Sequence, residues 1–149
     1  MPTVGSTLAA CGLERVDAEV LLSAVLGRNR AWLIAHATDA LPAKVATSFA
    51  ALAARRRNGE PVAYLTGYRE FWGLSLAVDA SVLIPRPETE TLVEVALSRL
   101  PADRPAYVLD LGTGSGAIAV AVARERPLAV ILATDSAAAA LAVARANVN

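Results

Sequence analysis

Apolar positions recur at helical spacing through roughly the first 60 residues and then give way to alternating and short buried runs. Ser6 is placed to cap a short helix over Thr7 to Cys11. Asp17 can cap the next, where Val20, Leu21, Ala24 and Val25 form one apolar stripe and Gly27 supplies the stop. Asn29 caps Arg30 to His36, with Trp32 and Leu33 as core. Pro42 opens a longer helix in which Val45, Phe49, Leu52 and Arg56 repeat, ended by Asn58-Gly59. A helical bundle this small buries little apolar surface by itself.

Past residue 66 the pattern changes. Tyr68 to Phe71 and Leu74 to Val78 alternate around Trp72-Gly73, which predicts a β-hairpin. Leu83-Ile84-Pro85-Arg86-Pro87 must be extended, because its prolines forbid a helix. A helix then runs from Glu88 or Thr89 to Leu100, with Leu92, Val93, Ala96, Leu97 and Leu100 facing inward. Tyr107 to Leu111 reads as a buried strand, Gly112 to Gly116 as a turn and Ala117 to Arg126 as a helix. Val130 to Thr134 reads as a second buried strand, after which Ser136 caps a last helix reaching about Asn147. Strand, helix, strand implies a parallel pair joined by a crossover.

Composition narrows the function classes. The 149 residues carry 14 basic and 14 acidic side chains, so no net field attracts nucleic acid or an anionic membrane. One cysteine, Cys11, excludes an internal disulfide, and one Cys with one His makes a zinc site unexpected. Cys11 reads as a small, buried or half-buried apolar residue and His36 as a helix-end or interface residue. The start lacks a signal-peptide pattern, and no apolar run approaches the ~18 residues of a membrane span. A cytoplasmic protein is expected.

The chemistry concentrates at Asp110-Leu111-Gly112-Thr113-Gly114-Ser115-Gly116, between a strand and a helix. Alternate glycines permit positive φ and direct contact of a ligand with the backbone. Gly112, Gly114 and Ala117 also satisfy the dinucleotide fingerprint, in which a pyrophosphate sits on the helix N-terminus. Asp110 argues against that, because a carboxylate beside the loop repels a pyrophosphate and suits a cation such as the sulfonium and amino group of S-adenosyl-L-methionine (SAM). Asp135 follows at the end of the second strand, where related folds place an acid on the ribose hydroxyls. The alternative is a cap for the last helix, but its position favours the ligand role.

Two further strings make the pattern specific. IPRPETE (Ile84 to Glu90) follows GEPVAYLTGYREFWGL (Gly59 to Leu74) and precedes VLDLGTGSGAIA (Val108 to Ala119). Together they resemble the HemK/PrmC family, which methylates the glutamine amide of the Gly-Gly-Gln motif in class 1 peptide-chain release factors. The resemblance runs from about Asp17 to Asn147. It implies an α/β chain with a helical, release-factor-docking domain at 1–66 and a β-hairpin linker at 67–84. The first half of a class I SAM-dependent, Rossmann-like methyltransferase domain would then occupy 85–149. It also implies that Asp110, Gly112, Thr113, Gly114, Ser115, Gly116 and Asp135 line the cofactor site, with Phe71 near it. Arg86, Pro87, Glu88 and Thr89 would form a lid, or else serve only to start a helix. Arg55-Arg56-Arg57 is either a docking element or a solvated helix end. The partner is a release factor, without direct nucleic-acid or membrane contact, and the full-length protein is expected to be a monomer.

In this family an Asn-Pro-Pro-Tyr motif holds the substrate amide, and that string occurs nowhere in the sequence. The resemblance therefore implies a chain cut short before its catalytic motif and inactive alone, with no catalytic residue assignable. An unpaired apolar strand edge, marginal stability or aggregation should follow. Two alternatives stand beside this reading: a non-catalytic docking and SAM-binding module, and another SAM or NAD enzyme sharing the glycine loop.

Overall fold

A computed structural model describes residues 1–148. The backbone divides into two compact units, Met1–Thr66 and a second beginning at Gly67.

The first unit is all helical: α1 (Val4–Ala10), α2 (Arg15–Leu26), α3 (Arg30–Ala35), α4 (Ala43–Arg57) and α5 (Val62–Thr66). The sequence pattern missed α5 and misplaced the first cap. Thr3, not Ser6, precedes α1, and the two form a reciprocal capping box: Thr3 Oγ1 accepts the Ser6 N–H at 3.1 Å and Ser6 Oγ accepts the Thr3 N–H at 2.8 Å. Asp17 caps nothing. It lies inside the first turn of α2 and pairs with Arg56 at 2.7 Å. Asn29 does cap α3, accepting the Trp32 N–H at 2.9 Å, and Gly27 ends α2 at φ 63°.

Val4, Leu21, Leu22, Leu33, Leu41 and Phe49 form the core of this unit. The face of α2 is turned from the expected stripe. Val20 is exposed, and Glu19 is buried instead, its carboxylate held by Arg15 at 2.8 Å and Arg30 at 2.6 Å. These bonds, that of Arg15 foremost, hold the Glu19 carboxyl below its usual range. The arginine run is tied down within the unit. Arg55 bonds Glu60, Arg56 bonds Asp17, and Arg57 donates to the Cys11 carbonyl at 2.6 Å. His36 ends α3 and stacks on Trp32 with ring centroids 4.1 Å apart.

The second unit opens with the hairpin of β1 (Tyr68–Phe71) and β2 (Leu74–Ala77), paired from Tyr68↔Ala77 to Phe71↔Leu74. Its two-residue turn needs positive φ at both positions. Gly73 (φ 66°) supplies one without cost, and Trp72 (φ 53°) is strained. Trp72 is fixed from both ends. Its backbone N–H donates to Glu90 Oε1 at 2.9 Å and its indole N–H to Glu125 Oε1 at 3.2 Å. The hairpin is not a separate linker, because Phe71 and Leu76 share one core cluster with Val93, Ala117, Ala121 and Val122.

A 3-10 turn (Pro87–Thr89) leads into α6 (Glu90–Arg99), followed by β3 (Ala106–Leu111), α7 (Ala117–Glu125), β4 (Ala129–Thr134) and α8 (Ala138–Val148). In α6, Val93 is buried but Leu92 is exposed, contrary to the expected inward face. β3 and β4 pair in parallel from Ala106↔Ala129 to Leu111↔Thr134.

Neither strand is buried on both sides, as their apolar sequences had implied. Ile131 packs into the core, whereas Tyr107 (87% exposed), Leu109, Leu111, Val130 and Leu132 stand on a bare face. Parallel strands are ordinarily covered on both faces. Among the described residues no helix is long and apolar enough to cross a membrane, and no cluster of His, Cys, Asp or Glu could hold a metal.

Candidate functional site

The glycine loop lies between the C-terminal end of β3 and the start of α7, and it is pinned at every step. The N–H groups of Gly112 and Thr113 both donate to the Thr134 carbonyl at the end of β4, each at 2.9 Å. Thr113 Oγ1 donates to Asp110 Oδ2 at 2.7 Å. The Gly114 N–H reaches across to Asp135 Oδ2 at 2.9 Å, and the Gly116 N–H closes the loop onto the Thr113 carbonyl at 2.8 Å. Both acids picked out from the sequence therefore act first as supports of the loop.

The glycines have different reasons to be glycine. All three have positive φ, at 75°, 55° and 79°. A Cβ on Gly112 or Gly114 would meet no atom within 4 Å, so the space beside them is open to a ligand. A Cβ on Gly116 would press to 3.2 Å from Ala144 Cβ, so its absence lets α8 lie against the loop.

A cleft of about 150 Å³ opens above the loop. Leu83, Ile84, Pro85, Arg86 and Thr89 form one wall, and Gly112 to Ser115 with Ala117 and Ile118 form the other. Of the proposed lid, Arg86 and Thr89 line it, while Pro87 and Glu88 do not. Phe71 does not line it either. It is 1% exposed and sits in the core beneath the start of α7, where it shares a cluster with Ala117.

The cleft is smaller than the ~300–1,000 Å³ of enclosed ligand pockets. Larger grooves exist in the helical unit, one of about 450 Å³ between α1 and α4. That groove is mostly apolar and holds no converging set of chemical groups, so volume does not mark the site. The pinned loop with its two acids does.

Asp135 Oδ1 also accepts the Ala137 N–H at 2.9 Å, so Asp135 rather than Ser136 makes the capping bond at the approach to α8. The capping reading of this residue is thus realised, and its other oxygen holds the glycine loop. The Ala137 and Gly114 N–H groups hold its carboxyl below the usual range. Sequence reasoning missed two contributors. Glu90, inside IPRPETE, anchors the hairpin turn, and Asn147 of α8 bonds the loop; neither polar residue differs in pattern from an ordinary surface position.

A helical domain followed by a hairpin and a glycine-rich strand-helix-strand unit defines a partial class I methyltransferase fold. Residues 4–67 match the model of the PrmC N-terminal domain, and residues 89–149 match that of the methyltransferase small domain. The chain is 51% identical over 108 residues to the release factor glutamine methyltransferase of Escherichia coli (strain K12), covering 72% of this chain and 39% of that protein. It is 54% identical over 113 residues to the protein of that name from Bordetella pertussis (strain Tohama I), covering 76% and 42%. With its counterpart from Xylella fastidiosa (strain Temecula1) it shares 53% over 115 residues, again 76% and 42%. The chain thus belongs to the HemK/PrmC family, and it spans about two fifths of the length of these curated relatives.

Proposed function

We propose that this chain binds S-adenosyl-L-methionine at the glycine loop and serves methylation of the glutamine amide in the Gly-Gly-Gln motif of class 1 release factors. The observation that carries the cofactor reading is the bond from the Gly114 N–H to Asp135 Oδ2. A dinucleotide's pyrophosphate would need that amide and would meet a carboxylate on it. A cationic adenosyl ligand does not need that amide free, and the carboxylate does not repel it. Open space at Gly112 and Gly114 lets such a ligand lie on the backbone, and Asp135 keeps lone pairs for ribose hydroxyls. Arg86 is the one basic group lining the cleft and suits a carboxylate.

Bound SAM supplies an electrophilic methyl group on a sulfonium. An amide nitrogen is a poor nucleophile, because its lone pair is delocalised into the carbonyl. Transfer therefore depends on positioning and on hydrogen bonds to the developing charge. In the family pattern that work falls to Asn-Pro-Pro-Tyr, which these 149 residues do not contain. The reading is accordingly one of cofactor binding and partner docking without transfer by this chain alone. The helical unit is the proposed docking element, supported by its match to the PrmC N-terminal domain.

Calorimetric titration of the chain with SAM and, separately, with NAD tests the proposal. Saturable heat with SAM and none with NAD is expected. Equal binding of both, or binding of NAD alone, would return the loop to the dinucleotide class.

A further inference from the structure

Asn147, near the end of α8, makes three hydrogen bonds to two backbone segments. Its Oδ1 accepts the Ala77 N–H at 2.7 Å, and its Nδ2 donates to the Ala77 carbonyl at 3.0 Å. The same Nδ2 donates to the Ser115 carbonyl at 2.9 Å. The pattern fixes the orientation of the amide. Flipping it would set Nδ2 against a donor and Oδ1 against two carbonyls. It also fixes the residue type. Aspartate has no donor, and glutamine is one methylene too long for the same contacts.

The two segments lead to opposite walls of the cleft. Ala77 ends β2, six residues before Leu83 begins the proline-rich wall, and Ser115 belongs to the glycine loop. Ala144, one turn earlier on α8, packs at the Cβ-less side of Gly116. We propose that Asn147 is a positioning residue for the cofactor site. It holds the Ser115–Gly116 peptide with its carbonyl turned toward α8, and it sets the spacing between the loop and the segment that follows β2. This role rests on the SAM reading of the cleft.

The test compares Asn147→Ala and Asn147→Asp with Val143→Ala, a packing change on the same helix at a buried residue that makes none of these bonds. SAM affinity is measured by calorimetry, thermal stability by unfolding, and the amide resonances of Ala77 and Gly116 by nitrogen–proton spectra of the unliganded protein. The Gly116 nitrogen shares its peptide with the Ser115 carbonyl and so reports the Nδ2 bond directly. Asn147→Ala removes all three bonds and should shift both resonances and weaken SAM binding about tenfold. Asn147→Asp retains the acceptor for the Ala77 N–H and should shift Gly116 more than Ala77; it also serves if the alanine variant fails to fold. Val143→Ala should lower the melting temperature while leaving both resonances in place and affinity within about twofold.

Affinity losses that simply follow stability in all three variants would overturn the proposal, as would an unmoved Gly116 resonance. A wild-type chain with no SAM affinity would refute the cofactor reading itself. The role of Asn147 is then decided on the unliganded amides, where unmoved resonances overturn it.

Discussion

Asp135 Oδ2 accepts the Gly114 N–H at 2.9 Å across the ends of two parallel strands, joining residues 21 positions apart at the centre of the glycine loop. This bond couples the acid to the loop, so a change in either should be felt by a ligand that touches both. Asp135→Ala should weaken SAM binding at least about tenfold, since it removes a charge-assisted acceptor for the ligand and releases the loop. Calorimetry checks this, and unchanged affinity would remove Asp135 from the site.

The same bond makes the loop acid-sensitive. The Ala137 and Gly114 N–H groups favour the ionised carboxylate, so the folded value lies below that of the unfolded chain. The stabilisation is therefore complete above the ordinary aspartate value of about 4 and is lost as pH falls through the lowered folded value. A pH titration of the Gly114 amide resonance should be flat near neutrality and move only on the acid side of that value. An inflection near neutral pH would contradict the assignment.

Gly116 and Gly112 should respond differently to alanine. Gly116→Ala combines a disfavoured φ of 79° with a contact of 3.2 Å to Ala144 Cβ, and should cost about 1–3 kcal/mol of stability. Gly112→Ala meets no atom in the protein, so backbone strain alone should cost about 1 kcal/mol and its larger effect should fall on SAM binding. Thermal unfolding and calorimetry on the two variants separate these outcomes.

Phe71→Ala should act on the core rather than on a ligand. The side chain is 1% exposed among Leu76, Val93, Ala117, Ala121 and Val122, so truncation should cost about 3–5 kcal/mol. Phe71→Leu should retain most of the stability and all of the SAM affinity. A leucine variant of normal stability and poor affinity would place Phe71 in the site after all.

The bare face of the β3–β4 pair predicts self-association. Tyr107, Leu109, Leu111, Val130 and Leu132 are all more than half exposed and neighbour one another on one face of the strand pair, an apolar patch of the kind that marks an interaction surface. Leu109→Lys with Leu132→Glu should reduce association in sedimentation or light scattering while changing stability by no more than about 1 kcal/mol. A wild-type chain that stays monomeric at high concentration would show that this face does not attract partners.

The local signals in the sequence were sufficient wherever neighbouring residues decide the outcome. Gly27 and Asn29 mark helix ends by their own backbone and side-chain chemistry, and Trp72-Gly73 marks a turn. The order of strand, glycine loop and helix follows from the apolar runs around Gly112 to Gly116, and IPRPETE identified the family. Contacts distant in the chain were not legible. Which face of α2 is buried depends on where Arg30 meets Glu19, and the arginine run depends on Asp17 and Cys11 lying beside it. The place of Phe71 in the core follows only from the hairpin folding onto α7. Asn147 looked like a polar helix end and instead bridges Ala77 and Ser115, 70 and 32 residues away. Periodicity and capping are properties of a few adjacent residues, so the sequence determined the elements. Burial and hydrogen-bond partnership arise only when remote segments meet, so the tertiary structure alone decided which side chains support the glycine loop.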